Sequence, residues 1–165
     1  MDETEVENKK PRAIGGWLIL VAIGIVVSPI RTISMLYTTY LSLFSEDTWT
    51  VLTDRTLESF SLFLLPYLVC ELVINVAIIS ITFYIVYLFF SRKAALPKWY
   101  FGISLFSTTF LVIDAYIVSL IISDSTVFDP DTVKELLRSL VSLLIWSPYL
   151  LYSQRSKETF VSGRT

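Results

Sequence analysis

Apolar residues fill four long stretches of this chain, at about 14–44, 62–90, 99–122 and 133–152. A helix needs about 20 apolar residues to cross the hydrocarbon core of a bilayer, and each stretch reaches that length. None carries the charged face that a helix on the surface of a soluble protein shows. The pattern predicts an all-α integral membrane protein, a bundle of four transmembrane helices at about 14–44, 62–90, 99–122 and 130–155.

Composition agrees with a membrane class. Hydrophobic residues make up 54% of the 165 residues and charged residues only 17%, against about 25% in soluble domains. The net charge of −2 gives no electrostatic reason to expect nucleic acid as a partner. One domain, 14–155, is predicted between two cytoplasmic tails, 1–13 and 156–165, and the first apolar stretch is expected to be a retained anchor because no small-residue cleavage site follows it.

Lysine and arginine indicate the orientation, because cytoplasmic loops are enriched in them. With the N-terminus inside, the inner segments hold nine cations and the outer loops two, Arg55 and Lys134. Aromatic residues that suit a membrane interface fall on the inner side as well. The prediction is therefore a membrane protein with both termini cytoplasmic. The nine cations are Lys9, Lys10, Arg12, Arg92, Lys93, Lys98, Arg155, Lys157 and Arg164, and the aromatic residues are Trp17, Tyr87, Trp99, Tyr100, Tyr149 and Tyr152.

Prolines and caps mark the helix ends and bends. Asp129-Pro130-Asp131 has the N-cap, first-turn proline and acidic residue that open a helix, here the fourth. Leu96-Pro97 is expected to break the chain before the third helix. Pro29 and Pro148 fall inside spans, where neighbouring groups re-satisfy the freed carbonyl and the helix usually kinks. A static bend is favoured over a hinge at both prolines.

Four ionisable residues inside the spans are the sharpest chemical signal. Counted at about 1.5 Å per residue from the predicted cytoplasmic ends, Arg31 lies about 25 Å in, Glu71 about 28 Å, Asp114 about 22 Å and Arg138 about 21 Å. A lone charge near mid-bilayer costs about 2.5–3.5 kcal/mol on insertion scales, which favours pairing. We expect the acids to pair with the arginines, with Asn75 beside Glu71 as a polar neighbour. The network is either structural or an outward-opening site for a proton, ion or small solute.

Small residues and absent motifs give weaker signals. Gly16, Gly24 and Ser28 are predicted to share one face of the first helix and to pack inside the bundle. The sequence holds no histidine and one cysteine, Cys70, which excludes histidine-based catalysis and an intrachain disulfide. We expect no metal, no cofactor and no enzymatic activity. The external segment 45–61 suits either a short helix on the outer leaflet or a binding loop.

Two terminal motifs resemble a known family. Gly15-Gly16-Trp17-Leu18 followed by Ser28-Pro29-Ile30 is similar to the opening of the bacterial domain of unknown function 2569 family, and the end of the chain resembles its closing pattern. The resemblance spans nearly the whole chain and implies a small four-helix inner-membrane protein without an assigned activity. The closing and intervening residues that carry it are Ile145-Trp146, Pro148-Tyr149, Ser153, Arg155, Thr159-Phe160, Asp47, Trp49, Glu71, Asn75 and Asp114.

These observations favour a non-enzymatic accessory or scaffold subunit that acts through helix contacts. The alternative is a small oligomeric transporter or proton-coupled channel that uses Glu71 and Asp114. An intramembrane enzyme ranks third, because no nucleophile–base set is recognisable. The expected partners are the lipid bilayer and either other membrane proteins or further copies of the chain.

Overall fold

A computed structural model of the chain describes residues 13–43, 46–54, 62–121 and 129–161. These residues form helices and no strand. The predicted tail and loop residues 1–12, 44–45, 55–61, 122–128 and 162–165 lie outside the described part. The helices are α1 (Trp17–Leu43), α2 (Glu46–Thr53), α3 (Leu64–Phe90), α4 (Leu96–Ile121), α5 (Pro130–Val141), α6 (Ser147–Tyr152) and α7 (Gln154–Thr159), with a π-helical turn, Ser142–Trp146, between α5 and α6.

Three helices are long and apolar enough to cross a membrane: Trp17–Leu41 within α1, and the whole of α3 and α4. Helix α1 packs on α3, and α3 packs on α4. Helix α4 begins at Leu96, three residues before the predicted start, so Pro97 does not break the chain ahead of the helix. Proline is tolerated there because the N–H groups in the first turn of a helix have no intrahelical carbonyl to bond. A proline at this position, which has no N–H, therefore loses no hydrogen bond.

The fourth predicted span is one helical rod with an irregular turn. Asp129 caps α5 by accepting the N–H groups of Asp131 and Thr132, as its sequence predicts. At the π-helical turn, the N–H and the hydroxyl of Ser147 both reach the carbonyl of Ser142, five residues back. Pro148 follows immediately and has no N–H to donate, so the wider turn accommodates the break in the hydrogen-bond ladder.

The end of the chain differs from the predicted tail. The backbone of Ser153 turns extended and ends α6, and its hydroxyl accepts the N–H of Ser156 to start α7. Ser156, Thr159 and Phe160 are buried, and the ring of Phe160 lies 5.4 Å from that of Phe89 at the end of α3. Residues 156–160 are therefore part of the packed domain.

Packing is concentrated at one end of the bundle. The first turns of α1, the last turns of α3, the start of α4 and the end of α6 share a fully buried core, which α7 closes. This end also brings together the basic residues of the α3–α4 connection and of α7. The opposite half, which contains most of the ionisable groups predicted inside the spans, has few buried side chains among the described residues. The core residues are Leu18, Val21, Ile25, Ile85, Leu88, Phe89, Leu96, Tyr100, Leu150 and Phe160.

Two packing predictions for this region are wrong. Gly24 and Ser28 are exposed, and a Cβ atom at Gly24 would meet no heavy atom within 4 Å. The reason is the rotation of α1 about its axis: Val21 and Ile25 face the core, and Gly24 is on another side of the helix. Tyr100, expected at the membrane interface, is instead 9% exposed and belongs to the core.

Within segment 45–61, predicted to be external, the structure describes a short helix, α2 (Glu46–Thr53). Its Leu52 is buried, whereas Trp49 is half exposed. Helix α2 rests on α1. Of the acidic residues in this segment, Asp54 alone has a described side chain.

Candidate functional site

Two acidic side chains from neighbouring helices lie near each other in the loosely packed half of the bundle. The hydroxyl of Tyr67 in α3 donates a hydrogen bond to Oδ1 of Asp114 in α4. Glu71, one turn after Tyr67 on the same helix, lies within electrostatic range of Asp114. Both acids are partly buried. The structure thus gathers Tyr67, Glu71 and Asp114 into one site between α3 and α4, called the acid site below.

A second tyrosine joins the acid site to α1. Tyr40 lies near Glu71 and Asp114, and its hydroxyl donates to the backbone carbonyl of Leu68 at 2.9 Å. Tyr40 also lines a cavity of about 340 Å³ between α1 and α3. The other residues that line this cavity are apolar except Tyr37: Ile33, Leu36, Leu72 and Ile79.

Asn75 supports the acid site through the backbone. Its side-chain amide donates to the main-chain carbonyl of Glu71 at 3.0 Å, four residues back on α3. The predicted neighbourhood of Asn75 and Glu71 is therefore present, but the bond goes to the peptide carbonyl and leaves the Glu71 carboxylate available for other ligands.

The predicted pairing of the acids with the arginines is wrong. Arg31 of α1 donates to Glu135 of α5 at 2.7 Å, and Arg138, one turn along α5, lies 3.9 Å from the same carboxylate. Glu135 is therefore the shared counter-ion of both arginines. An acid three residues before an arginine on a helix is a natural partner, so this signal was visible in the sequence. Among the described residues, no cation forms a salt bridge with Glu71 or Asp114.

These two clusters differ in how charge is balanced. The side chain of Glu135 is 23% exposed, and those of Arg31 and Arg138 are 40% and 60% exposed. The two arginines are therefore more exposed than the carboxylate that they share. This cluster joins α1 to α5 and carries both charge signs. The acid site carries two carboxyl groups and two tyrosines.

A neutral polar contact fixes the π-helical turn against α4. The hydroxyl groups of Tyr100 and Ser142 lie 2.7 Å apart, and those of Ser104 and Ser142 lie 3.1 Å apart. A buried hydroxyl cluster whose members bond one another lowers the cost of placing polar groups in an apolar interior.

Sequence reasoning missed the partner of the Gly15-Gly16 motif. The guanidinium group of Arg155 lies against both glycines, so that a Cβ atom at Gly15 would fall 2.6 Å from Nη2 and one at Gly16 would fall 3.2 Å from Nη1. Gly16 also has a φ of +58°, which L residues with side chains rarely adopt. The double glycine therefore provides both a left-handed turn and room for Arg155.

The capping residue Asp129 is an electrostatic feature that lies outside the predicted spans. Hydrogen bonds from the backbone of Thr132 and Asp131 stabilise its charged form, so the pKa of this carboxyl lies below its usual range. The effect belongs to the start of α5 and is separate from the acid site.

The chemistry available at the acid site is that of oxygen ligands and exchangeable protons. Two carboxyl groups in a poorly solvated region repel each other when both are ionised, and a proton or a small cation relieves that repulsion. Across the described part of the chain, no group of three or more potential metal-ligating side chains lies together. The arrangement can take up a proton or a cation.

Comparison with protein families confirms the resemblance seen in the terminal motifs. The family model described as Protein of unknown function (DUF2569) matches residues 11–161, and the chain belongs to this family. The match includes every residue of the acid site, the Arg31–Glu135 pair and the Gly15-Gly16 motif. Neither the curated proteins nor the solved structures contain a match to this chain.

Proposed function

We propose that this member of the DUF2569 family is a multi-pass protein of the bacterial inner membrane whose acid site binds and releases a proton or a monovalent cation. The observation that carries the proposal is the placement of Glu71 and Asp114 together with Tyr67. Ionisable groups are rare inside transmembrane segments and mark ion and proton pathways more often than chance.

Four transmembrane helices are part of this proposal. The rod from Pro130 to Tyr152 has 23 residues, so it is about 34 Å long, enough to cross the hydrocarbon core. The salt bridge between Arg31 and Glu135 supports its insertion, because each charge supplies a counter-ion for the other. The basic residues at the densely packed end support a cytoplasmic location for both termini.

The packing asymmetry supports exchange at the acid site. The densely packed end holds the helices together, while the half that contains Glu71 and Asp114 has few buried side chains among the described residues. Regions with few buried apolar contacts open more easily than a packed core. The cavity beside Tyr40 adds free volume next to the site. A small transporter or proton-coupled channel fits these features.

Reconstituted protein tests this proposal. Proteoliposomes that contain a trapped pH-sensitive dye are exposed to an imposed membrane potential, and proton entry is followed with and without sodium or potassium. We expect flux above that of empty vesicles, and its loss in Glu71→Gln and Asp114→Asn. Glu135→Gln is the matched control, since it also removes an intramembrane carboxylate, and we expect it to retain flux. Equal flux in empty and protein-containing vesicles would contradict a transport role.

A second proposal is a non-enzymatic accessory subunit that acts through helix contacts. Polar contacts between helices elsewhere in the bundle favour it. Glu135 links α1 to α5, and the hydroxyl cluster around Ser142 links α4 to the π-helical turn. Such links give a rigid body suited to a structural role. Affinity purification in mild detergent, with identification of co-purifying chains, tests it. A stoichiometric membrane partner retained by Glu71→Gln would favour this role over transport.

A further inference from the structure

A groove on the outer surface of α3 and α4 has the form of a lipid site. It has a volume of about 400 Å³ and lies between two helices that are long and apolar enough to span a membrane. Its lining is apolar apart from Lys98, at the beginning of α4. Along α4 the groove extends from Lys98 to Phe106, eight residues or about 12 Å.

Small residues make this groove deep. Gly102 lies midway between Lys98 and Phe106, and a Cβ atom there would meet no heavy atom within 4 Å. Ala77 lines the groove on the α3 side. A glycine in a helix interior is destabilising relative to alanine, and no close backbone contact at Gly102 requires one.

The two ends of the groove differ in chemistry. At its entrance, Lys98 is exposed and next to Trp99, whose ring packs edge-on against that of Tyr84 with centroids 5.3 Å apart. Tryptophan and tyrosine favour the level of lipid headgroups. The rest of the lining, such as Ile78 and Phe106, is apolar. The occupant must therefore have an anionic head and an apolar tail.

We propose that this groove binds one anionic phospholipid, with an acyl chain between α3 and α4 and its phosphate at the ammonium group of Lys98. Charge complementarity selects the occupant: a zwitterionic lipid offers the same chain but no net negative charge to Lys98. Lys98 is at the densely packed end of the bundle, and neither Glu71 nor Asp114 lines the groove, so the proposal does not depend on the acid site.

Thermal unfolding of the purified full chain in detergent tests the site. The protein is measured with phosphatidylglycerol, with phosphatidylcholine of the same acyl chains, and with inorganic phosphate alone. We expect a larger upward shift in melting temperature with phosphatidylglycerol than with phosphatidylcholine, and no shift with phosphate. Lys98→Gln should remove most of the difference between the lipids, and Gly102→Leu should reduce the shift from both by filling the groove.

Two matched variants separate the groove from general effects. Lys157→Gln removes a cation from the same end of the bundle but outside the groove, and Gly24→Leu fills open space on α1; both should retain the wild-type lipid difference. Equal shifts with the two lipids, or an unchanged difference in Lys98→Gln, would overturn the proposal. A Lys98-dependent shift with inorganic phosphate alone would also overturn it, because the acyl chain would then have no part in binding. If Gly102→Leu does not fold, the Lys98→Gln comparison decides.

Discussion

Arg155 lies directly over the left-handed turn at Gly16: a Cβ atom on Gly16 would fall 3.2 Å from Nη1 of the guanidinium group, and the φ of Gly16 is +58°. This relationship ties the start of α1 to the segment that follows α6. The opening Gly15-Gly16 and the closing Arg155, far apart in sequence, therefore form one contact.

The two glycines should respond differently to alanine. Gly16→Ala places a side chain at positive φ, which costs about 1–2 kcal/mol. Gly15→Ala collides only with the flexible end of Arg155, so its cost should be smaller and should vanish in an Arg155→Ala background. The cost of Gly16→Ala should persist there. Unfolding in detergent measures the three single variants and the two double variants.

Gly24→Ala is the control for these glycine substitutions. Gly24 is inside α1 with open space around it, so alanine should be neutral or should stabilise by about 0.4–1 kcal/mol. Equal destabilisation at Gly16 and Gly24 would contradict the role given to the left-handed turn.

The shared counter-ion Glu135 predicts a specific coupling. Glu135→Gln leaves Arg31 without its 2.7 Å partner, so Arg31→Leu should cost less in that background than alone, with a coupling of about 0.5–3 kcal/mol. Because Arg31 is 40% exposed, the lower part of this range is expected. The cycle that combines Arg31→Leu with Glu71→Gln should instead be additive. Coupling to Glu71 and none to Glu135 would restore the pairing predicted from sequence.

The hydroxyl cluster at the π-helical turn predicts a modest loss of stability. Tyr100→Phe removes the bond to Ser142 while keeping the ring in the core, and should cost about 0.5–1.5 kcal/mol. Tyr152→Phe, at an exposed tyrosine, is the control and should cost almost nothing. Chemical denaturation of the two variants checks this, and equal effects would show that the Tyr100 hydroxyl adds no stability.

Asp129 predicts a pH dependence at the start of α5. Hydrogen bonds from Thr132 and Asp131 lower the pKa of its carboxyl in the folded protein, so its contribution is fully present above the unfolded pKa of about 3.9. It is lost as the pH falls through the lower folded pKa. Melting temperatures recorded from neutral pH into this acidic range should fall less steeply in Asp129→Asn, which retains a side-chain oxygen for capping. Identical pH profiles would contradict this assignment.

Sequence patterns predicted the helices better than their contacts, for a physical reason. Lipid imposes a minimum length of apolar helix, so α1, α3 and α4 were recognisable. Contacts between helices depend on how each helix is rotated, which has no local signal, so Gly24 was assigned to the wrong face. Glu71 and Asp114 were assigned to the wrong partners because the pairing of Glu135 with Arg138, three residues apart on α5, was not predicted.

Residues with local signals were predicted correctly even outside the spans. Asp129 and Pro130 form the predicted helix start because capping depends on neighbouring residues alone. The role of Arg155 had no local signal, since its contact with Gly15 joins opposite ends of the chain. The π-helical turn was also not predicted: Pro148 indicates a disturbance of the helix, but not that Ser147 would bond to the carbonyl of Ser142.

The central claim is that Glu71 and Asp114 share an exchangeable proton or cation, and infrared difference spectroscopy of the reconstituted protein tests it most directly. Spectra recorded between acidic and neutral pH, in buffer without alkali cations, should contain the carbonyl stretch of a protonated carboxyl group. That band should be lost or shifted in Glu71→Gln and in Asp114→Asn, should remain in Glu135→Gln, and should weaken when sodium or potassium is added if the site also binds a cation. A band unchanged in both acid-site variants, or no band in the wild-type protein, would contradict the account.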